Sequence, residues 1–412
     1  MENKIGIFSF FAGAGFLDLG FETTGQYETL FVNEYHKAFA DIYIDSRKSL
    51  GIETPRFGHQ VADITENLTN LNSLWLKENI KEARKKNDII GFIGGPPCPD
   101  FSIAGKNMGQ NGENGKLSGT YIELICRNKP DFFLFENVRG LYRTAKHREF
   151  FEAMKTKLIN SGYYITEKLI NAIEFGAPQD RDRIILIGFQ RKTLGDFGFK
   201  LNGSPIIKNF NWESNTLYKS EDIFALNWPG LEKFEEDSIK QKPEGLPIEL
   251  TVEHWFEKNK VESHPNSGNY FTPRAGLYKF KIIDEGDDLK KSYKRLHRWR
   301  YSPTAAYGNN EVHLHPYKAR RISAAEALAI QSLPKEFVIS QNITLTDMFK
   351  TIGNGVPYLA AHGLAKTITD FIFNNPIKDL KVLYEQIDSK QLSSIHKSVR
   401  QKSNLQLSQS EK

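Results

Sequence analysis

A cysteine in a proline-rich loop is the strongest candidate for covalent chemistry. Cys98 lies within Gly94–Pro99 (GGPPCP), directly after a predicted buried strand. Because open α/β sheets bind their ligands at the carboxyl ends of the strands, we expect the thiol at that edge. The prolines restrict the backbone and would hold a nucleophile close to one atom of its substrate. The other cysteine, Cys126, lies in an apolar helical stretch and is interpreted as core packing.

A carboxylate and two arginines are predicted at the same edge of the sheet. Glu136 follows four apolar residues of the fifth strand, where a buried carboxyl could donate a proton. Arg181 and Arg183 lead into the seventh strand, and the short turn over residues 174–178 predicts that this strand is antiparallel. Its start then lies beside Cys98. The alternatives are that Glu136 caps the next turn and that the Arg–Asp alternation forms ordinary surface salt bridges.

A glycine-containing loop after the first strand predicts a nucleoside-binding pocket. Gly13 and Gly15 allow a sharp turn and leave room for a ligand. Asp18 replaces the third glycine of the dinucleotide fingerprint, which argues against NAD or FAD. Glu34 ends the second strand and Asp63 the third, so acidic groups could accept hydrogen bonds from ribose hydroxyls. An adenosyl ligand without phosphates fits this set, and acids at helix N-termini are the alternative.

Alternating strand-like and amphipathic segments up to residue 190 predict a doubly wound α/β core with a mixed, Rossmann-like sheet. The predicted strands lie near Lys4–Phe10, Leu30–Asn33, His59–Asp63, Asp88–Gly94, Asp131–Phe135, Tyr163–Asn171 and Arg183–Phe189. The predicted helices lie near Leu17–Thr24, His36–Ile44, Leu71–Arg84, Tyr121–Asn128 and His147–Ser161. We therefore expect a catalytic, ligand-binding domain over residues 1–190.

After residue 190 the periodicity fades into Lys, Glu, Pro, Asn and scattered aromatic residues, which predicts a second, smaller and irregular domain. Regular structure then returns. Ser323 and Glu326 have the spacing of a capping box, and Pro357 is expected at the first position of a helix over Tyr358–Phe373. The expected later units are the irregular domain at 191–300, a return to the catalytic domain at 301–380, and a polar tail at 381–412.

Composition limits the class of protein without deciding it. The 412 residues contain two cysteines, too few for a disulfide framework, which suits a reducing cytoplasm. No apolar run approaches the roughly 20 residues needed to cross a bilayer, so we expect a soluble intracellular protein with no membrane association. The net charge of +5 is compatible with a polyanionic partner and does not require one.

Six short motifs span nearly the whole chain in a single order. They are FFAGAGFLDLGFE, PPCPDFS, ENV, QDRDR, RRISAAEALAIQSLP and GNGVPYLAA. On these residues the chain resembles the DNA cytosine-5 methyltransferases. Two departures are visible: Phe16 stands where a third glycine is frequent in the first loop, and Pro99-Asp100 stands where the cysteine is usually followed by Gln. Neither departure removes a group that does chemistry, although Asp100 adds a negative charge near DNA phosphates.

The resemblance implies S-adenosyl-L-methionine as methyl donor, a covalent mechanism and no metal. It implies that Cys98 adds to C6 of cytosine and that Glu136 protonates N3. Arg181 and Arg183 would hold the exocyclic oxygen of the base, with Arg183 favoured. The residues implied to hold the cofactor are Phe11, Ala12, Gly13, Gly15, Glu34, Asp63, Ile64 and Asn354.

The target base must leave the duplex to reach such a site. Residues 99–119 contain five glycines and are interpreted as a mobile loop that closes over DNA, with Ser102 and Gln179 as contacts of the DNA or the loop. Residues 191–300 are expected to recognise the sequence, and the basic run 290–300 to contact phosphates. A disordered insertion and a solvated basic helix face are the respective alternatives.

The resemblance also implies a setting: double-stranded DNA as partner, a monomer near the bacterial nucleoid, and a restriction–modification system with a paired endonuclease. The nearest rival is an RNA methyltransferase of the same fold. Its tRNA-acting members typically carry Cys-Phe-Thr and an Asn at the position of Gln179, and this chain has neither. The intact Cys98, Glu136 and Arg183 argue against a non-catalytic DNA-binding protein, and the absence of a resolving cysteine near Cys98 argues against a redox enzyme.

Overall fold

The structure of the protein, a computed structural model, describes residues 4–97, 113–143, 145–201, 203–273, 277–289, 293–305, 307 and 312–374. Some predictions concern residues outside the described ranges. Three segments are affected: the predicted loop as far as residue 112, residues 290–292 of the basic run, and the tail at 381–412. The single residues are Cys98, Pro99, Asp100 and Ser102.

A seven-stranded mixed sheet forms the centre of the described fold. Its strands are β1 (Ile5–Phe10), β2 (Tyr27–Glu34), β3 (His59–Val61), β4 (Ile90–Gly94), β5 (Phe132–Val138), β6 (Tyr163–Asn171) and β7 (Asp182–Gln190). Their order is β3-β2-β1-β4-β5-β7-β6, and β7 runs antiparallel to both of its neighbours. The α/β class, the Rossmann-like sheet and the reversed seventh strand are therefore confirmed.

Helices cover both faces of this sheet and continue into the second half of the chain. Their bounds are α1 (Phe16–Glu22), α2 (Lys37–Ser49), α3 (Asn70–Ala83), α4 (Glu113–Asn128), α5 (Gly140–Arg143), α6 (Ala145–Asn160), α7 (Arg191–Asp196), α8 (Ser220–Phe224), α9 (Val252–Lys258), α10 (Leu277–Lys281), α11 (Ala324–Ile330), α12 (Leu345–Asn354) and α13 (Tyr358–Phe373). Short 3-10 helices lie at Ile64–Leu68, Ala172–Phe175 and Ile248–Leu250.

The strands are apolar because both faces of the sheet are covered. One core layer contains α13 and the other contains α3, α4 and α6. Phe371 of α13 contacts Phe189 of β7 and also Phe199 and Phe210 from the segment after β7. The first part of the 191–300 segment thus packs into the core of the sheet, and the proposed domain limits stay a prediction.

The start of α4 corrects one interpretation. Residues 113–119 belong to this helix and not to a loop, although they include two glycines. Leu117 packs against the core and Ser118 is fully buried, so tertiary contacts outweigh the low helix propensity of glycine. Only the part of the predicted loop before residue 113 is left as a loop candidate.

The two predicted helix starts in the C-terminal part are present. Ser323 and Glu326 form a capping box at α11, with each side chain accepting a hydrogen bond from the other's backbone amide. Pro357 was expected as the first residue of α13. It is the N-cap instead, one position earlier. Between α7 and α11 the described residues form only short helices and isolated bridges, which confirms the predicted loss of regular periodicity.

Candidate active site and cofactor loop

The carboxylate of Glu136 and the guanidinium of Arg183 form an ion pair at the edge of the sheet. Glu136 lies on β5 and is 7% exposed, and Arg183 lies opposite Val138 at the start of β7. Arg183 Nε lies 2.7 Å from Glu136 Oε1. Because β7 is reversed, its first residues meet the last residues of β5, and the predicted convergence of these two side chains is confirmed.

The loop that leads to Cys98 starts against this ion pair. A Cβ atom at Gly95 would lie 2.5 Å from Glu136 Oε2, so only glycine fits there without moving the carboxylate. Asn137 Nδ2 also donates to the carbonyl oxygen of Pro96, at 3.4 Å. The described part of the loop ends at Pro97, one peptide bond before Cys98.

Arg181 occupies a different environment from Arg183. It is 1% exposed, and its guanidinium donates to the carbonyl oxygens of Ala305, Gly353 and Gly355, at 3.0, 2.7 and 3.0 Å. Burial, with the nearby charge of Arg183 adding to it, lowers the pKa of Arg181. Its hydrogen bonds join the residue before β7 to the segment before α11 and to the C-terminal end of α12.

Gln179 belongs to the same buried junction. It has no exposed surface, and its Oε1 accepts from the amide of Ala305 at 3.0 Å, while its Nε2 donates to Gln331 Oε1 at 3.2 Å. The structure therefore does not place Gln179 or Arg181 together with Glu136 and Arg183 in an accessible pocket.

The glycine loop between β1 and α1 is held by Glu34. Phe11, Gly13 and Gly15 have positive φ values of 54°, 57° and 76°. The amide of Gly13 donates to Glu34 Oε2 and the amide of His36 to Glu34 Oε1, both at 2.8 Å. Burial raises the pKa of Glu34. Each carboxylate oxygen accepts one backbone amide and has a lone pair left for a ligand hydroxyl.

The space above the loop can accept a ligand. A Cβ atom at Gly13 would meet only Thr351 Oγ1, at 3.9 Å. That hydroxyl is buried and has no hydrogen-bond partner, although buried polar atoms normally have one. The ring of Phe11 packs edge-on against Tyr121, and the amide of Ala12 donates to the carbonyl oxygen of Asn33 at 3.2 Å. These contacts hold the two loop residues in place. A glycine cradle with an acidic acceptor and an unused hydroxyl fits S-adenosylmethionine, which has ribose hydroxyls and no phosphates.

Two other predicted cofactor residues lie near the ends of β3 and α12. Asp63 caps the 3-10 helix at Ile64–Leu68, with Oδ1 accepting from the amide and hydroxyl of Thr65, so its N-terminal capping role is present. Ile64 itself is buried. Asn354 is exposed at the end of α12, and Gly355 lies directly against the ring of Phe16 in α1.

One aromatic residue near this site was not predicted from the sequence. Tyr35 directly follows Glu34 and is 72% exposed, which is unusual for a large aromatic side chain beside a buried strand. An exposed ring at this place offers a face on which an adenine could stack. The sequence signal that could have identified Tyr35 is its position directly after Glu34, the acid that ends β2.

The predicted basic edge at 290–300 is wrong for its central residues. Arg295, His297 and Arg298 are 0%, 3% and 3% exposed. Arg298 forms a buried ion pair with Glu285, at 2.8 Å, and Arg295 donates to backbone carbonyl oxygens. These side chains hold the irregular segment together, so they are not available to DNA phosphates.

The described residues show neither a membrane-spanning helix nor a cluster of metal-ligating side chains. No helix in the described ranges is long and apolar enough to cross a membrane. Within the same part of the chain no group of three or more His, Cys, Asp or Glu side chains could hold a metal ion.

A Rossmann-like sheet with a reversed seventh strand, whose ligand edge carries a glycine cradle and a Glu–Arg pair, defines the class of methyltransferases. Within that class the chain belongs to the C-5 cytosine-specific DNA methylase family, whose model matches residues 5–370. It is therefore a DNA cytosine-5 methyltransferase that uses S-adenosylmethionine.

Individual relatives support the assignment over most of the chain. The sequence is 56% identical over 374 residues to the type II methyltransferase M.NmeDI of Neisseria meningitidis serogroup C, covering 91% of this chain and 86% of the relative. It is 29% identical over 371 residues to M.FnuDI of Fusobacterium nucleatum, covering 88% and 95%. The fold is similar to a putative DNA modification methyltransferase of an Escherichia coli prophage, with a TM-score of 0.59, 22% identity and coverage of 90% and 100%.

Proposed function

We propose that this enzyme methylates C5 of one cytosine within a specific duplex sequence, through a covalent bond between Cys98 Sγ and C6 of the base. The observation that carries the proposal is the Glu136–Arg183 pair at 2.7 Å, which lies against Gly95 at the start of the Cys98 loop. A proton donor and a fixed cation beside a nucleophile are what addition to a pyrimidine ring requires.

Each group has a separate task in this mechanism. The Cys98 thiolate adds to C6, and Glu136, after taking up a proton from the solvent, delivers it to N3 so that the ring accepts the electron pair. Arg183, oriented by Glu136, donates to the exocyclic oxygen of the base. S-adenosylmethionine supplies the methyl group for C5. Loss of the C5 proton to a base in the solvent then lets the Cys98–C6 bond break and returns the thiolate, and N3 gives its proton back to Glu136.

The cofactor site is proposed over the loop Phe11–Gly15. Glu34 would accept from the ribose hydroxyls while still holding the amide of Gly13. Asp63 and Ile64 would border the adenine, with Tyr35 offering an exposed ring. Asn354 would close the pocket from the end of α12.

The target cytosine must be rotated out of the duplex to meet these groups. We assign closure over the DNA to residues 99–112, including Ser102, and sequence recognition to the irregular segment at 191–300. Gln179 and Arg181 support the catalytic edge from behind, because both are buried among protein partners. Residues 301–380 return to the catalytic domain.

The proposed setting is a bacterial restriction–modification system. The support is the similarity to proteins that are named type II methyltransferases. A monomer that works in the cytoplasm at the nucleoid, beside an endonuclease of the same specificity, is the arrangement we propose.

Trapping with 5-fluorocytosine tests the proposal. DNA that carries this base at the target should give an adduct that resists denaturation and needs S-adenosylmethionine, because fluorine cannot leave as a proton does. Cys98→Ser should give no adduct, and Cys126→Ser, the matched control, should give as much as the wild type. An adduct that survives Cys98→Ser, or tritium transfer to tRNA but not to duplex DNA, would refute the mechanism or the substrate.

A further inference from the structure

A buried ionic cluster lies directly behind the cofactor loop. Arg47, in the last turn of α2, is 3% exposed, and Asp18 on α1 is fully buried. Arg47 Nε donates to Glu22 Oε2 at 2.9 Å, and Glu22 Oε1 accepts from the hydroxyl of Thr29 at 2.6 Å. A guanidinium in such a place is stable only when its partners are buried with it.

The second edge of the Arg47 guanidinium reaches the loop itself. Its Nη2 donates to the carbonyl oxygen of Gly15 at 2.6 Å. The same oxygen accepts the amide of Leu19 at 2.9 Å, the first hydrogen bond of α1. Arg47 therefore fixes the point where the loop becomes a helix.

The packing at Gly15 leaves no freedom for a different geometry. Gly15 has φ 76°, and a Cβ atom there would lie 2.4 Å from the ring of Tyr43 and 2.8 Å from Arg47 Nη2. The Arg47 guanidinium stacks on that same ring, with Cζ 4.2 Å from its centroid. The back of the loop is thus a surface made by two side chains of α2.

One helix consequently holds the loop from both sides. The N-cap of α2 is His36, whose backbone amide donates to the Glu34 carboxylate. The same carboxylate accepts the amide of Gly13, so the beginning of α2 lies next to this contact. At its end, Arg47 holds the Gly15 carbonyl oxygen. The two contacts lie two residues apart in the loop, so a shift of either would tilt Gly13 under the ligand.

We propose that Arg47 is a positioning residue for S-adenosylmethionine, which sets cofactor affinity through the Gly15 carbonyl without touching the cofactor. The inference rests on the proposed placement of the cofactor over Gly13. The planar fork of arginine can bind the Glu22 carboxylate and the Gly15 oxygen at once, whereas the single ammonium of lysine cannot reproduce that geometry.

Calorimetric titration with S-adenosylhomocysteine, in the absence of DNA, measures the effect on the full chain. Arg47→Lys should weaken binding about ten-fold, and Glu22→Gln should weaken it in the same direction by less. In turnover assays the KM for S-adenosylmethionine should rise by a similar factor, while the KM for DNA stays within about two-fold of the wild type. Ile187→Val, which shortens a fully buried side chain of β7, controls for general loss of stability.

The outcomes separate this inference from the proposed site. Glu34→Gln should itself weaken S-adenosylhomocysteine binding; if it does so while Arg47→Lys and Glu22→Gln bind normally, the role of Arg47 is overturned and the site stands. If Glu34→Gln binds normally, the placement of the cofactor fails, and the inference fails with it. Equal loss of cofactor and DNA affinity in Arg47→Lys would indicate a merely structural role and also overturn the inference. Should Arg47→Lys not fold, Glu22→Gln decides by the same criteria.

Discussion

Arg181 and Arg183 lie two residues apart in the chain and have different environments. Arg183 pairs with Glu136 at the edge of the sheet, whereas Arg181 is enclosed by the carbonyl oxygens of two distant segments, one at Ala305 and one at the end of α12. Sequence reasoning found both residues and their edge of the sheet, because the turn before β7 predicted its direction. The resemblance favoured Arg183 as the base contact, but the residue pattern did not reveal the buried environment of Arg181, since its carbonyl partners lie more than 120 positions away.

Lysine substitutions at the two positions should give opposite results. Arg183→Lys should lower kcat about a hundred-fold, because the fork that holds the base is lost, with little change in the free energy of unfolding. Arg181→Lys should lower the free energy of unfolding by about 3 kcal/mol, because buried carbonyl oxygens lose their donors. Single-turnover methylation and urea unfolding of both variants would measure this. Equal loss of stability in the two would contradict the assignment.

Gly95 is predicted to control the position of Glu136. A Cβ atom at 2.5 Å from Oε2 would push the carboxylate away from Arg183, so Gly95→Ala should lower kcat at least about ten-fold while cofactor affinity is unchanged. Gly119→Ala is the matched control, because nothing lies within 4 Å of the added atom. Its activity should equal that of the wild type. Full activity of Gly95→Ala would show that the loop does not need this contact.

Among the elements, those with strong local signals were predictable from sequence and those governed by packing were not. The apolar strands, the Ser323 capping box and the reversed β7 follow from residue patterns and turn chemistry. The start of α4 does not, because the burial of Leu117 and Ser118 against the sheet outweighs the helix-breaking tendency of nearby glycines.

The capping box at α11 should contribute measurably to stability. Ser323 Oγ accepts from the amide of Glu326, and Ser323→Ala should lower the free energy of unfolding by about 1 kcal/mol. Thr69→Ala is the control, since Thr69 is the N-cap of α3 but its side chain makes no capping hydrogen bond. Urea unfolding of the two variants should show a clearly larger loss for Ser323→Ala. Equal losses would contradict a specific capping contribution.

At the scale of the whole molecule, charge patterns along the chain were a poor guide to surfaces. The run 290–300 has the composition of a phosphate-binding edge, yet Arg295 and Arg298 are buried by contacts with Glu285 and with backbone carbonyl oxygens. Composition alone does not reveal such partners, because Glu285 becomes a neighbour only when the irregular segment folds. A net charge of +5 therefore says little about where DNA binds.

Buried ionisable groups also make stability depend on pH, in two opposite directions. Burial lowers the pKa of His313 and of His315 to about 3, so the unfolded chain binds their protons first and stability is lost as the pH falls below 6.5. Burial raises the pKa of Asp18 to about 7, so the folded chain binds its proton more tightly and stability is lost as the pH rises from about 4 to 7.

His313 and His315 on one side and Asp18 on the other make opposite contributions to stability between pH 6.5 and 5. Over this interval the two histidines together cost about 3 kcal/mol, and Asp18 offsets about 2 kcal/mol of that loss. Compared with the wild type, His313→Asn should make the loss of stability between pH 6.5 and 5 about 2 kcal/mol smaller, whereas Asp18→Asn should make it about 2 kcal/mol larger. Urea unfolding at the two pH values measures both changes. A His313→Asn variant with the same pH dependence as the wild type would mean that His313 is charged in the folded state, and that its environment is more polar than the burial of its ring indicates.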